Sequence, residues 1–263
     1  MFDYHVHTNH SNDCTFEMES YILPAIAKGL EGICFTDHVD IDYPGTSIQF
    51  DIDYSKYIGE VKRLKDKYND KLEILTGIEF GMQPHILEED NSFFQNKSFD
   101  YILGSIHAAN KKELYGGDFT ESKSGHLGTL DYFNDMIFCV KNYNSYNNLG
   151  HIDAIARYVS KGSFSASQYM EYIEEVLKII INKGKGIELN TSGKRYSLQH
   201  FHPEPSIIKL YKELGGEIIT LGSDSHNPNT LGYGFEEAVY ILQSCGFKYN
   251  TIFRKGKPEF IKL

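Results

Sequence analysis

The sequence predicts an α/β fold in which seven parallel strands close, or nearly close, into one barrel-shaped domain spanning residues 1–263. Three observations predict it. Short apolar runs alternate with amphipathic helical patterns, as expected of a parallel sheet with helical crossovers. The 263 residues show no composition break, and α/β barrels use that length routinely. Every predicted strand but the sixth carries a His, Asp or Glu at or just past its carboxyl end, where barrels place their chemistry. An open doubly wound sheet would instead draw its site from the few strands at a switch point.

The first strand is Met1 to His5, followed by a helix from Met18 to Lys28 that Gly29 stops. Gly32 to Thr36 is the second strand. Tyr54 to Tyr68 is a helix, because Tyr57, Val61 and Leu64 share one face with charges opposite. Leu72 to Phe80 is the third strand and Tyr101 to Ile106 the fourth. Residues 110–126 are polar and Gly-rich and read as a long functional loop. A helix from Leu130 to Tyr146 leads to a short fifth strand, Leu149 to Ile152. An amphipathic helix, Ser167 to Lys183, ends at Gly184 and precedes the sixth strand, Gly186 to Asn190. Pro203 to Leu214 is a helix, Glu217 to Leu221 the seventh strand, Phe235 to Cys245 the last helix, and Tyr249 to Phe253 a final edge strand.

Composition narrows the function. A formal net charge of −10 argues against extended nucleic-acid binding, which needs a basic footprint. The four cysteines are scattered, with no CxxC, which fits reduced thiols in the cytoplasm. Met1-Phe2-Asp3-Tyr4-His5 offers neither a basic nor an apolar leader segment, so no signal peptide is expected. No apolar run reaches membrane-span length, so no membrane partner is expected. A small phosphorylated molecule is the expected partner, and a monomer or homodimer the expected state.

The residue types point to metal chemistry. His5 and His7 lie two apart, so on an extended segment both imidazoles face one way and can share an ion. Asp13 follows shortly. Asp224-Ser225-His226 repeats this geometry after the seventh strand, although Ser and Asp there also suit a helix N-cap. Glu79 ends the apolar run Leu75-Thr76-Gly77-Ile78, and a buried carboxylate needs a partner, either a metal pair or a basic side chain. His38, preceded by Asp37, and the single residues His107 and His151 take the same place after other strands. His, Asp and Glu without Cys suit hard or borderline divalent ions. Arg157 and Arg195 sit past the fifth and sixth strands, where a planar guanidinium can hold phosphate by two bonds or make a rim salt bridge. His10, close to the first motif, is expected to support it. Of His85, His126, His200 and His202, read as loop or surface residues, His126 is the best placed for substrate.

In order and over essentially the whole chain, these residues resemble the PHP (polymerase and histidinol phosphatase) family. Its H-x-H matches His5 and His7, and the following acid matches Asp13. Its T-D-H matches Thr36-Asp37-His38, its bridging Glu matches Glu79, and its single histidines match His107 and His151. Its closing D-x-H matches Asp224 and His226. The resemblance implies a distorted (β/α)7 barrel holding three divalent ions, with manganese, iron and zinc all admitted. By it, His5, His7, Glu79 and Asp224 hold one ion, Glu79, His107 and His151 the second, and Asp13, His38 and His226 the third. Within the family, Gly150-His151-Ile152-Asp153 through Arg157-Tyr158, and Glu188 through Arg195-Tyr196, look like the histidinol-phosphate phosphatases.

The implied reaction is hydrolysis of L-histidinol phosphate, a step of histidine biosynthesis. Ions about 3.5–4 Å apart would share a hydroxide in line with phosphorus. Glu79, Asp224 and His226 are the expected catalytic set. Arg157, Arg195 and His38 would face the phosphoryl oxygens. Tyr115 and Asp118 of the long loop are expected to meet the imidazole and ammonium. Two readings compete: a related phosphoesterase acting on nucleotides, phosphotyrosine or a DNA end, and a metal-binding scaffold without turnover.

Overall fold

The apolar runs pair as parallel strands in the computed structural model, which describes residues 1–45, 50–115, 125–160 and 164–263, and of residues 90 and 91 the backbone alone. In chain order the strands are β1 (Phe2–Val6), β2 (Gly32–Phe35), β3 (His38–Val39), β4 (Glu73–Gly81), β5 (Tyr101–Ser105), β6 (Ala108–Ala109), β7 (Lys112–Glu113), β8 (Asn148–Leu149), β9 (Gly186–Asn190) and β10 (Ile219–Gly222). Seven of them run in the order β1-β2-β4-β5-β8-β9-β10, with β3 beside β4 and every pair parallel. β6 and β7 form a separate small hairpin. Among the described residues, the first and last strands are joined by backbone hydrogen bonds just past their carboxyl ends. There His7 N donates to Ser225 O (2.9 Å) and Ser225 N to His5 O (3.1 Å), so the ring is nearly closed.

The helices cover the outside. α1 (Ile22–Ala27) is entered through a 3-10 turn, Met18–Tyr21, so the expected helix from Met18 begins with a tighter turn. α2 (Tyr54–Tyr68) buries Tyr57, Val61 and Leu64, and its N-cap Asp53 accepts from Lys56 N. α3 (Leu87–Phe94) was not anticipated, because its eight residues carry too little apolar periodicity. α4 (Gly125–Asn142) starts before the expected Leu130 and takes up the end of the stretch read as a loop. α5 (Met170–Asn182) buries Ile173, Val176, Leu177 and Ile180, each contributing about 1.5–3 kcal/mol. α6 (Pro205–Glu213) and α7 (Phe235–Ser244) complete the layer. No helix among the described residues is long and apolar enough to cross a membrane.

The barrel interior is filled at its amino end. Tyr101 on β5 reaches Thr220 on β10 at 3.0 Å although the two strands are not neighbours, so both point inward. Phe2, Tyr4, Leu75, Leu103, Ile252 and Phe253 pack with Tyr101 as one cluster. The last two belong to β11 (Tyr249–Arg254), which corrects an expectation. β11 is no edge strand of the barrel sheet; it pairs antiparallel with β12 (Lys257–Lys262). Lys255 and Gly256, both with positive φ (52° and 71°), make the two-residue turn that such hairpins favour. Tyr4 Oη donates to Phe253 O (2.9 Å) and accepts from Phe253 N (2.7 Å), fastening the hairpin across the floor. The opposite, carboxyl end is left for polar groups.

Candidate metal centre

β1 delivers two imidazoles to that end by breaking its own regularity. From Asp3 to Val6 it advances three residues while β2 advances two, from Ile33 to Phe35. On a regular strand Tyr4 and His5 would face opposite sides. The extra residue is a bulge that re-aims the strand, so Tyr4 packs in the floor while His5 and His7 reach the centre above it.

At that centre stands Glu79, from β4, with its side chain 1% exposed. Its register partner on β3 is His38, so pairing alone sets those two side by side. Glu79 Oε2 lies 3.1 Å from His5 Nε2, 3.4 Å from His7 Nε2 and 3.2 Å from His38 Nδ1. Oε1 lies 3.1 Å from His107 Nε2 and 2.9 Å from His151 Nε2, and accepts from Ser105 Oγ at 2.7 Å. Each oxygen thus addresses its own set of imidazoles, and neither meets a Lys or Arg among the described residues. Asp224 Oδ1 adds a second carboxylate 3.7 Å from His5 Nε2 and 3.6 Å from His7 Nε2. Asp13 Oδ2 faces His226 Nε2 (3.0 Å) and His38 Nε2 (3.4 Å). Three groups of ligand atoms therefore lie within 4.8 Å of one another: His5, His7 and Asp224; His38, Glu79 and His107; His7, Asp13, His38 and His226.

Behind these groups stand residues whose role sequence reasoning missed. The sixth strand carries no residue facing the ligands by expectation, yet Glu188 Oε1 lies 2.6 Å from His5 Nδ1 and fixes that ring. Asp40 Oδ1 does the same for His107 Nδ1 at 2.7 Å. A carboxylate on the far nitrogen sets the tautomer and makes the near one a better ligand. The signal for Glu188 was the same as for Glu79, an acid inside the apolar strand Ile187-Glu188-Leu189. Asp37, beside His38, faces away: it accepts from Thr8 N (2.6 Å), Ser11 N (3.1 Å) and Ser11 Oγ (2.8 Å), tying down the loop that leads to Asp13. Asp3 accepts from Ser223 N (2.9 Å) and Gly232 N (2.8 Å), which holds the turn carrying Asp224. That turn needs holding, since Asp224 has φ 53°, a conformation non-glycine residues adopt at a cost.

Several other expectations need correction. His10 does not support the centre; it lies 3.0 Å from Glu60 on α2. His126 lies on α4 against Tyr169 Oη (3.0 Å), off the cavity. His202 is no surface residue but fully buried. Asp118 lies outside the described residues. Tyr115 is on the cavity wall and largely exposed.

The centre opens into a cavity of about 520 Å³, lined also by Tyr43, Phe50, Glu113, Arg157, Tyr158 and Tyr196. Arg157 is nearly buried, donates Nη2 to Ser192 Oγ (2.5 Å), and lies over the Tyr196 ring at 4.2 Å. Arg195 is set differently from the expected clamp. Its Nη2 donates to Ser223 O (2.7 Å) and Asp224 O (2.8 Å), so half of this guanidinium braces the Asp224 turn. Its Nη1 is buried without a hydrogen-bond partner among the described residues.

Charge decides what fits here. Burial would raise the Glu79 carboxyl, but the imidazoles of His5, His107 and His38 hold it well below the usual range. Burial likewise opposes charging His107, yet Asp40 and Glu79 prevail and push it up to about 9. His7 goes the other way, lowered by burial and by the neighbouring rings of His226, His38 and His5. His7 Nε2 and His38 Nδ1 are buried, lack hydrogen-bond partners among the described residues, and face carboxylates. Such orphaned nitrogens are rare in native interiors. A divalent cation among mixed nitrogen and oxygen donors would satisfy them, so the residues fit metal ions. Protons and metal therefore compete. His107 must lose a proton held up to about pH 9 before it ligates, so metal affinity rises with pH up to that value. Calorimetric titration with Mn²⁺ at pH 6, 7 and 8 in two buffers should show proton release and about tenfold weaker binding per proton per unit of acidification. Affinity independent of pH would contradict this account.

A parallel barrel whose carboxyl end gathers imidazoles and carboxylates around one shared Glu defines a multinuclear metal-binding barrel. Comparison with known proteins sharpens the class. The PHP domain matches residues 3–192, and the chain belongs to the PHP family. A probable histidinol-phosphatase of Clostridium acetobutylicum is 34% identical over 252 residues, covering 94% of this chain and 95% of that protein. The histidinol-phosphatase of Lactococcus lactis subsp. lactis is 31% identical over 249 residues, covering 93% and 91%. The crystal structure of histidinol phosphate phosphatase from Lactococcus lactis, complexed with zinc, L-histidinol and phosphate, superposes with a TM-score of 0.90 at 30% identity, covering 98% of both chains.

Proposed function

We propose that this chain is a metal-dependent phosphomonoesterase that hydrolyses L-histidinol phosphate to L-histidinol and phosphate in the cytoplasm, as one domain over residues 1–263. The observation that carries the reading is the opening of the Glu79 centre and of Arg157 into one cavity. The similarity to histidinol-phosphatases over nearly the full length supports the substrate, and four free cysteines suit a reducing compartment.

His5, His7, Glu79 and Asp224 would hold one ion, Glu79, His107 and His151 a second, and Asp13, His38 and His226 a third. When bound, divalent ions acidify water and polarise the phosphoryl group. The chain's own residues do the rest. Glu188 and Asp40 hold His5 and His107 in their ligating orientation. Arg157, on the cavity wall, presents a nearly buried positive charge to the phosphoryl oxygens, and Arg195 adds its positive charge from behind the Asp224 turn. Asp224 and His226, both on the cavity wall, would relay a proton from water to the leaving alkoxide. Tyr43, Phe50 and Tyr115 give the imidazole aromatic walls, and Glu113 gives the ammonium a carboxylate.

The test is phosphate release by manganese- or zinc-loaded protein from L-histidinol phosphate, AMP, phosphotyrosine and p-nitrophenyl phosphate. The expected result is a kcat/KM for histidinol phosphate at least about a hundredfold above the others, as buried polar recognition allows. Equal turnover of AMP would sink the substrate assignment and keep the phosphoesterase. No turnover of any of them would sink both.

A further inference from the structure

Behind the cavity wall lies a buried acid–imidazole pair that the reading above does not use. Asp153 and His202 are both fully buried. His202 Nδ1 lies 2.5 Å from Asp153 Oδ1, and Asp153 Oδ2 accepts from Glu204 N at 2.8 Å. The other ring nitrogen, Nε2, lies 2.8 Å from Arg157 Nε.

A guanidinium has donors only. His202 Nε2 must therefore carry the lone pair, and the ring proton must sit on Nδ1, facing Asp153. The chemistry of the partners fixes the tautomer. Burial and the neighbouring Arg157 also keep this ring neutral, with its pKa down at about 4. The result is a directed chain from the Asp153 carboxylate through the His202 ring to the guanidinium. It holds Nε, while Ser192 Oγ (2.5 Å) and Asp224 Oδ2 (3.4 Å) hold Nη2 and the Tyr196 ring covers one face. A carboxylate in place of His202 would hold the arginine equally well but would neutralise it. A neutral imidazole fixes its direction without adding a second negative charge to that of Asp224.

A metal-ligand role for the same residues fits less well. Asp153, His200 and His202 offer ligand atoms within 4.8 Å of one another. Both His202 nitrogens are already committed, however, and a cation there would sit beside Arg157. His200 Nδ1 lies 2.6 Å from Phe201 O and 3.8 Å from Asp153.

We infer that Asp153 and His202 are positioning residues that orient Arg157 toward the phosphoryl group of the substrate. The inference rests on the reading of Arg157 as a phosphoryl-binding residue, and the test separates the two. The variants are Asp153→Asn, His202→Gln and His202→Leu, each alone and in an Arg157→Ala background, with Arg157→Ala by itself. The readouts are kcat and KM for L-histidinol phosphate and p-nitrophenyl phosphate, the inhibition constant of inorganic phosphate, bound metal, and the melting temperature.

Asp153→Asn keeps volume but removes the charge and leaves one acceptor for two donors; with that oxygen on Glu204 N, the amide NH2 faces Nδ1 and moves the ring proton to Nε2 against Arg157. It should lower kcat/KM by roughly 10- to 100-fold, the scale of losing an outer-shell partner. The phosphate inhibition constant should rise in step while metal content stays unchanged. His202→Leu should do the same, and His202→Gln, which keeps an acceptor toward Nε, should recover most of the loss. None of these changes should add to Arg157→Ala, because they act through that residue. Losses that add fully to Arg157→Ala, or Asp153→Asn protein that folds and binds phosphate like wild type, would overturn the dyad and leave the arginine reading intact. An Arg157→Ala variant with unchanged phosphate inhibition would overturn the arginine reading and the dyad with it.

Discussion

Glu79→Gln should yield a folded barrel that retains less metal and has lost phosphomonoesterase activity by about a thousandfold or more, at or beyond the upper end for removing one preorganised electrostatic contact. The reason is the sharing described above. Both carboxylate oxygens are engaged, Oε2 by three imidazoles and Oε1 by two imidazoles and Ser105. Glutamine keeps the shape but turns one oxygen into a donor, which faces imidazole nitrogens on either side and can ligate nothing. It also removes the central negative charge that His5, His107 and His38 hold ionised. Metal content by elemental analysis, kcat/KM and a melting curve together give the answer. A variant with wild-type metal content and activity would show that Glu79 is not the bridge.

Arg157→Lys should lower kcat/KM by about a hundredfold or more with metal content unchanged, near the cost of losing one oxyanion-stabilising donor. Lysine retains charge but not the fork. The guanidinium spans His202 Nε2 through Nε, and Ser192 and Asp224 through Nη2, in one plane. A single ammonium cannot meet those partners and a phosphoryl group together. The loss should appear mainly in kcat if the contact tightens in the transition state. A kcat/KM within threefold of wild type would remove Arg157 from the site.

Which parts were legible in the sequence follows from how far each signal reaches. His5 and His7 could be read because a period of two is a local property of a strand. Glu79 could be read because an acid closing an apolar run is anomalous on its own. The barrel could be read from repetition. Glu188 was missed although it is the same anomaly, since it lies within its strand and only the closed ring brings it to His5. The Asp153–His202 pair was invisible because its members are 49 residues apart and meet only through the fold. Arg195 was read as a clamp from its place past the sixth strand, but backbone carbonyls compete for its donors. β3 is two residues long and the turn at Lys255-Gly256 carries only one glycine, so neither gave a pattern long enough to read.

The seam of the ring carries a consequence of its own. Between the first and last barrel strands, two backbone hydrogen bonds join His5 and His7 to Ser225, and the side chains flanking that join are His5, His7 and Asp224. A cation held by those three would act as the clasp of a necklace, fastening the beginning of the chain to a segment more than two hundred residues later. Free energy of ligation at that point is also free energy of circularisation. Two segments more than two hundred residues apart would then answer to the same ion.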